Sequence, residues 1–223
     1  IRGLSSIKTG KLVIGATSTS FKFIEKIIAM FYSRFSKADI RVVHVHSEPA
    51  LIEMLKSGEL DIVYAAHFGE LAAEGLVCEF IKKRRLLLSV CSSHPAVSQA
   101  SINSTEKYPK IALSEFKSDK FAISSKILKS ESNFKKIFEK AGFTPQIFCD
   151  TSYFYVANAM VAAGLCVSFS FARYIFETQK DYITLFDVAD EPLLDVSFSV
   201  VYKKPSKLAK EFIKMIKAGK SSE

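Results

Sequence analysis

The sequence has no tryptophan, and only 6 prolines and 9 glycines among 223 residues. So few breakers, beside 48% hydrophobic and 24% charged residues, exclude a disordered or low-complexity chain. No apolar run approaches the ~18 to 20 residues of a membrane span. Residues 1–6 lack the apolar stretch and cleavage site of a secretory signal, and there is no initiator methionine. The chain is therefore expected to be cut or processed from something longer. The four cysteines, Cys78, Cys91, Cys149 and Cys166, form no C-x-x-C pair. Each lies in or beside an apolar stretch, so they read as buried, reduced thiols of a cytoplasmic protein, not as disulfides or zinc ligands. There is no G-x-S-x-G, P-loop, G-x-G-x-x-G or H-E-x-x-H motif. Without a catalytic constellation, an enzyme is not expected, nor a cofactor. His44 and His46 share a strand face, but no third ligand is placed by sequence, so no metal is expected either.

What is present is charge of one sign and a repeated pattern. Lysine and arginine number 31 against 23 aspartates and glutamates, giving +8. The lysines scatter along helix faces instead of forming a stripe with interleaved aromatics, which argues for solubility over nucleic-acid contact. The densest run, Lys82 to Arg85, reads as a solvated turn before a strand. Lys11 to Gly15 reads as a strand, followed by the hydroxyl run Thr17 to Ser20 and a helix bearing Ile24, Ile27, Ile28, Phe31 and Phe35. The pattern repeats with a strand over 40–46, Ser47 capping a helix that Gly58 ends, and a strand over 60–65. A strand at 86–91 follows. A second set comprises strands near 121–123, 146–149 and 165–169, a helix ending at Gly142, and a helix opened by Thr151 and Ser152. A strand over 196–201 and a helix through Leu208, Phe212, Ile213 and Ile216 close the chain. Strand–helix alternation of this kind builds parallel α/β sheets.

Six blocks in order resemble one family. They are residues 10–17 (GKLVIGAT), Ser47-Glu48, residues 55–62 (LKSGELDI), residues 93–96 (SHPA), residues 141–145 (AGFTP) and residues 161–165 (VAAGL). Together they are similar to the effector-binding domain of LysR-type transcriptional regulators. The resemblance implies an α/β fold of two Rossmann-like lobes joined by two crossover strands, a type 2 periplasmic-binding-protein-like architecture. Residues 1–9 would be a linker-helix remnant, 10–90 plus 196–218 lobe I, and 91–195 lobe II. It implies a homodimer, with the helix near 21–35 and the strand near 40–46 pairing with lobe II of a neighbour, and a tetramer when full length. DNA would be bound only through an absent N-terminal winged helix-turn-helix domain, with no membrane contact. Two positions depart from the family: Cys166 stands where a glycine is usual, and a common proline is missing near Ser170.

Ligands of open α/β sheets sit beyond the carboxyl ends of the strands. The residues there are Thr17, Ser18, Thr19, Ser47, Ala66 and His67 in the first lobe, and Ser124, Thr151 and Ser152 in the second. Helix starts and hydroxyls suit a small anionic effector in the interlobe cleft, although each hydroxyl alone is equally explained by helix capping. Tyr153, Phe154 and Tyr155 lie nearby, as a packed helix face or a cleft lining. The alternative function is a solute-binding protein of a transport system with the same two-lobed fold.

Overall fold

The computed structural model describes residues 9–219, except 46, 72, 100–105, 126–127, 129–132 and 190–191. The expected linker remnant at residues 1–8, and His46 of the histidine pair, lie outside the described residues. The chain divides into two compact units: residues 1–83 with 196–223, and residues 84–195.

Unit 1 is built on a five-stranded sheet of order β2-β1-β3-β11-β4. Its strands are β1 (Thr9–Ala16), β2 (Lys37–His44), β3 (Ile62–His67), β4 (Val77–Arg85) and β11 (Asp195–Tyr202). β1 runs parallel to β2 and β3, and β11 runs antiparallel to β3. Alternation along the strands sends side chains to two apolar faces. On one, Val13, Val63, Ala65 and Val201 meet Leu51, Ile52 and Leu55 of α3 (Glu48–Ser57). On the other, the Phe198 ring lies 4.4 Å from Phe23. The Phe31 ring of α2 (Glu25–Arg34) meets Phe212 of α7 (Lys207–Ala218) edge-on at 5.1 Å. The helix read near 21–35 is broken. α1 (Ser18–Phe21) is a single turn, and α2 begins only at Glu25. Burial of Phe23 and Ile24 at the break outweighs helix continuity.

Gly58 ends α3 in the left-handed region, φ 85°, which glycine adopts without strain. Asp61 then fastens β3 to β1: its N–H donates to Val13 O at 2.9 Å, and its carboxylate accepts from Val13 N–H at 2.7 Å. Asp61→Ala is expected to cost about 2 kcal/mol, because it strands a partly buried amide. The urea midpoint checks this, and Asp61→Asn should lose less.

The basic run is not a turn. Lys82 to Arg85 forms the end of edge strand β4. Arg85 is a structural cation: Nε lies 2.7 Å from Asp187 Oδ1, Nη1 lies 3.4 Å from Asp195 Oδ1, and Nη2 donates to Val188 O at 3.0 Å. Charged side chains suit an edge strand, which must resist pairing with foreign strands.

Unit 2 holds a four-stranded sheet of order β6-β10-β5-β9 and a two-stranded sheet of β7 and β8. These strands are β5 (Leu87–Cys91), β6 (Lys110–Ile111), β7 (Lys120–Ala122), β8 (Gln146–Cys149), β9 (Ser168–Ser170) and β10 (Ile183–Val188). Its described helices include α4 (Pro95–Gln99), α5 (Asn133–Lys140) and α6 (Phe154–Ala162). α6 packs through Ala157 and Val161 into a cluster with Ala122, Cys166 and Ile183. At its centre Asn158 is fully buried. Its Oδ1 accepts from Ser89 Oγ at 3.2 Å, and its Nδ2 donates to Ser170 Oγ at 3.0 Å and Tyr174 O at 3.1 Å.

All four cysteines are free thiols, but only Cys166 is buried, and Cys78 is exposed on β4. Burial, reinforced by Cys149 nearby and opposed by the Ala122 N–H, pushes the Cys166 thiol up to about 11. His94 has a structural role: its ring bridges Asp119 Oδ1 at 3.1 Å and Ala96 N–H at 3.1 Å.

Candidate functional site

In unit 1 the strand register aligns the expected residues along one sheet edge. Ala16 pairs with His44 on one side and Tyr64 on the other. Just beyond lie Thr17 to Thr19, and Val45 and Ser47, while Ala66 and His67 are the last two residues of β3. β11 starts at the same edge, with Ser197 opposite His67 and Phe198 opposite Ala66.

The hydroxyls there are not equivalent. Thr17 is buried in a capping box: Ser20 N–H donates to Thr17 Oγ1 at 3.3 Å, and Thr17 N–H donates to Ser20 Oγ at 3.0 Å. Ser18 and Thr19, on the single turn of α1, are half-buried. Ser47 is exposed and accepts from Ala50 N–H at 3.4 Å, capping α3 with Pro49 in its first turn. Ala66 and His67 point to opposite sheet faces, as neighbours on a strand must.

His67 is held on two sides. Its Nδ1 lies 2.9 Å from Gly69 O and its Nε2 lies 2.9 Å from Ser199 Oγ. A carbonyl only accepts, so Nδ1 carries the proton and Nε2 accepts from the buried Ser199 hydroxyl. Burial pulls the imidazole below its ordinary range, against the opposing pull of the Gly69 carbonyl. His67 is thus a neutral donor–acceptor at pH 7, not a cation.

Glu48, in the first turn of α3 beside Ser47, is not among the expected contact residues. Burial pushes its carboxyl up to about 7, although a helix start by itself favours the anion. Folded, Glu48 keeps its proton to about pH 7; unfolded, it loses it near 4.5. Its stabilising contribution is fully present below pH 4.5 and is lost as pH rises through 7. Wild-type stability minus that of Glu48→Gln should therefore fall between pH 5 and 8, as read from urea midpoints. A flat difference contradicts the assignment.

In unit 2 the parallel pair β7 and β8 supplies the other edge. Ala122 registers with Cys149, and Ile123 N–H donates to Cys149 O at 3.1 Å. Ser124, buried, follows one strand, while Thr151, half-buried, and Ser152, exposed, follow the other. α6 starts at Phe154, two residues later than expected, and Thr151 Oγ1 accepts from Tyr153 N–H at 3.1 Å in the turn before it. Phe154 packs on Phe171 and Tyr174 with ring centroids 5.6 and 4.8 Å apart, while Tyr155 is exposed. Asp150, unremarked in the sequence, accepts from Ser125 N–H at 3.0 Å and from the Ser125 hydroxyl.

Among the described residues, no group of three His, Cys, Asp or Glu is placed to hold a metal, and no helix is long and apolar enough to cross a membrane.

A family model described as "LysR substrate binding domain" matches residues 6–220. Solved structures with the same fold include HinK, a LysR family transcriptional regulator from Pseudomonas aeruginosa. It has a TM-score of 0.74 and 19% identity, over 96% of this chain and 71% of that one. The regulatory domain of CcmR from Synechocystis PCC6803, in complex with 2-PG, gives 0.76 and 13% over 95% and 98%. The BenM effector binding domain with its effector benzoate gives 0.71 and 18% over 94% and 91%. At these identities the likeness establishes a type 2 periplasmic-binding-protein-like fold. No curated protein sequence matches the chain.

Proposed function

From the premise that this chain belongs to the LysR substrate binding domain family, we propose that it takes a small anionic effector on the hydroxyl-bearing carboxyl ends of its strands. It is the ligand-sensing domain of a LysR-type transcriptional regulator. The proposed contacts are Ser18, Thr19, Ser47, Ala66 and His67 in unit 1, with Thr17 shaping the α1 turn, and Ser124, Thr151 and Ser152 in unit 2. The observation that carries the reading is the register of unit 1, which brings four strand ends and their polar side chains to one sheet edge. Benzoate in the BenM domain, a small carboxylate, supports an anion of this size. With the family match in place, the transport reading is not favoured. Catalysis is no part of the proposal.

The effector acts by preferring one conformation of the domain and shifting the population toward it. DNA is contacted by a winged helix-turn-helix domain outside this sequence, in the cytoplasm. The proposed assembly is a homodimer, tetrameric when full length. Met30 and Tyr32 of α2, 62% and 54% exposed, and the edge strand β2 with exposed Val42, supply an apolar surface for it. Light scattering showing only monomer at high concentration contradicts this.

A thermal-shift screen of small metabolite anions tests the effector, since binding to the native state raises the melting temperature. The best ligand should lose roughly tenfold in affinity with Thr19→Ala or Ser152→Ala, the loss of about one hydrogen bond to a charged group. Unchanged affinity in both variants removes these residues from the site.

A further inference from the structure

We propose that His67 is a positioning residue of the effector edge in unit 1: its two ring nitrogens tie the loop that leaves β3 to a buried residue of β11, and neither nitrogen is offered to the ligand. The inference takes its purpose from the effector reading above, but its test does not depend on that reading.

His67 is the last residue of β3 and is registered with Ser197 on β11. Its ring does not stop there. It reaches diagonally along β11 to Ser199, opposite Ala65, where Nε2 accepts from the hydroxyl at 2.9 Å. Ser197 and Ser199 share a strand face, and diagonal pairs of this kind lie within reach of a long side chain. Ser199 is only 2% exposed, so its hydroxyl takes its partner from the protein and not from water. On the other side Nδ1 donates to Gly69 O at 2.9 Å. Gly69 stands in the left-handed region, φ 66°, which glycine adopts without strain. One neutral imidazole thus joins a buried strand to the first turn of the loop. Farther along, Leu71, Ala73 and Leu76 of the same loop pack against the cluster around Leu51 and Leu55 of α3. The loop is therefore fastened near both ends, and the imidazole fixes the end that adjoins Ala66, a proposed contact. A neutral imidazole has one donor and one acceptor, and both are used. A ligand group that reaches His67 meets ring carbon, so the anionic end is left to the hydroxyls and amides of the edge.

The test combines nitrogen NMR of the imidazoles with amide hydrogen exchange, both on the unliganded protein at neutral pH. In wild type the His67 ring should carry its proton on Nδ1 and leave Nε2 bare. The opposite tautomer overturns the proposal, because a bare Nδ1 has nothing to give the Gly69 carbonyl. His67→Ala should speed exchange of the ladder amides at residues 65–67 and 197–199 by roughly tenfold, the loss of about two neutral hydrogen bonds, while the amides of β1, β2 and α3 stay within about twofold. His67→Asn keeps a donor for the Gly69 carbonyl and should recover part of the protection. Ser199→Ala should act on the same amides, and adding it to His67→Ala should cost little more, because the two residues share one bond. Exchange that rises equally in every element, as a general loss of stability would cause, or that does not change, overturns the proposal. If His67→Ala does not fold, His67→Asn and Ser199→Ala decide by the same amides. No ligand enters these measurements, so their outcome is separate from that of any metabolite screen.

Discussion

Gly15→Val is expected to destabilise the protein by about 3 kcal/mol or more. Gly15 lies on β1, opposite Val43 and Val63. A Cβ built there would sit 2.5 Å from Leu60 Cδ1 and 2.9 Å from Leu51 Cδ2. Both leucines are buried in the cluster that joins α3 to the sheet. They have nowhere to retreat in an interior packed like a crystal. Overpacking of this kind costs about 1–3 kcal/mol for a methyl or two, and valine adds three carbons. Gly15→Ala should cost less, about 2 kcal/mol. In a chain of this length, about 3 kcal/mol lowers the melting temperature by roughly 6–12 °C. Trimming the obstructing side chain, as Leu60→Ala in the Gly15→Val background, should recover part of the loss. A Gly15→Val protein as stable as wild type would mean α3 does not lie this close to β1.

The second large effect is expected at Asn158. Asn158→Leu keeps the volume but leaves Ser89, Ser170 and the Tyr174 carbonyl without the amide they share. Unpaired polar groups in a dry interior cost about 1–3 kcal/mol each before relaxation, so about 3 kcal/mol in all is expected. The same change tests whether the network is a unit. Adding Ser89→Ala and Ser170→Ala to Asn158→Leu removes two stranded hydroxyls and should restore stability, whereas each serine change alone should weaken wild type. Simple additivity of the three would contradict a shared network. The loss should be read by denaturant unfolding followed in unit 2, because α6 is the element the network holds between β5 and β9.

These two residues also mark what could and could not be read from sequence. β1, α3 with its Ser47 start and Gly58 stop, and α5 before Gly142 were legible, because their signals are local: period, cap and breaker within a dozen residues. β4 was not. Only Ile81 of its nine residues is buried, so an edge strand rich in lysine and arginine shows no apolar run. β10 was missed too; it follows loops and short single-turn helices and carries charge at Asp187. The break between α1 and α2 reflects the burial of Phe23 against Phe198, a residue 175 positions away.

The candidate site divides in the same way. Its hydroxyls directly follow strands, so their address is sequential. The partners that decide their chemistry are not sequential. Ser199 reaches His67 across 132 residues, and Asp150 reaches Ser125 across 25. Glu48 was visible in the sequence, but the burial that raises its carboxyl was not. The departure at Cys166 has a plain outcome: the side chain is taken into the core of unit 2 beside Ala122, Ala157 and Val161.

Amide hydrogen exchange, measured with and without the small anion that most raises the melting temperature, tests the central claim most directly. Protection is expected to increase at residues 17–19, 47–48, 66–67 and 151–153, while the exposed β4 edge and α7 stay unchanged. Protection confined to α7 or β4, with the strand ends unaltered, would contradict the account.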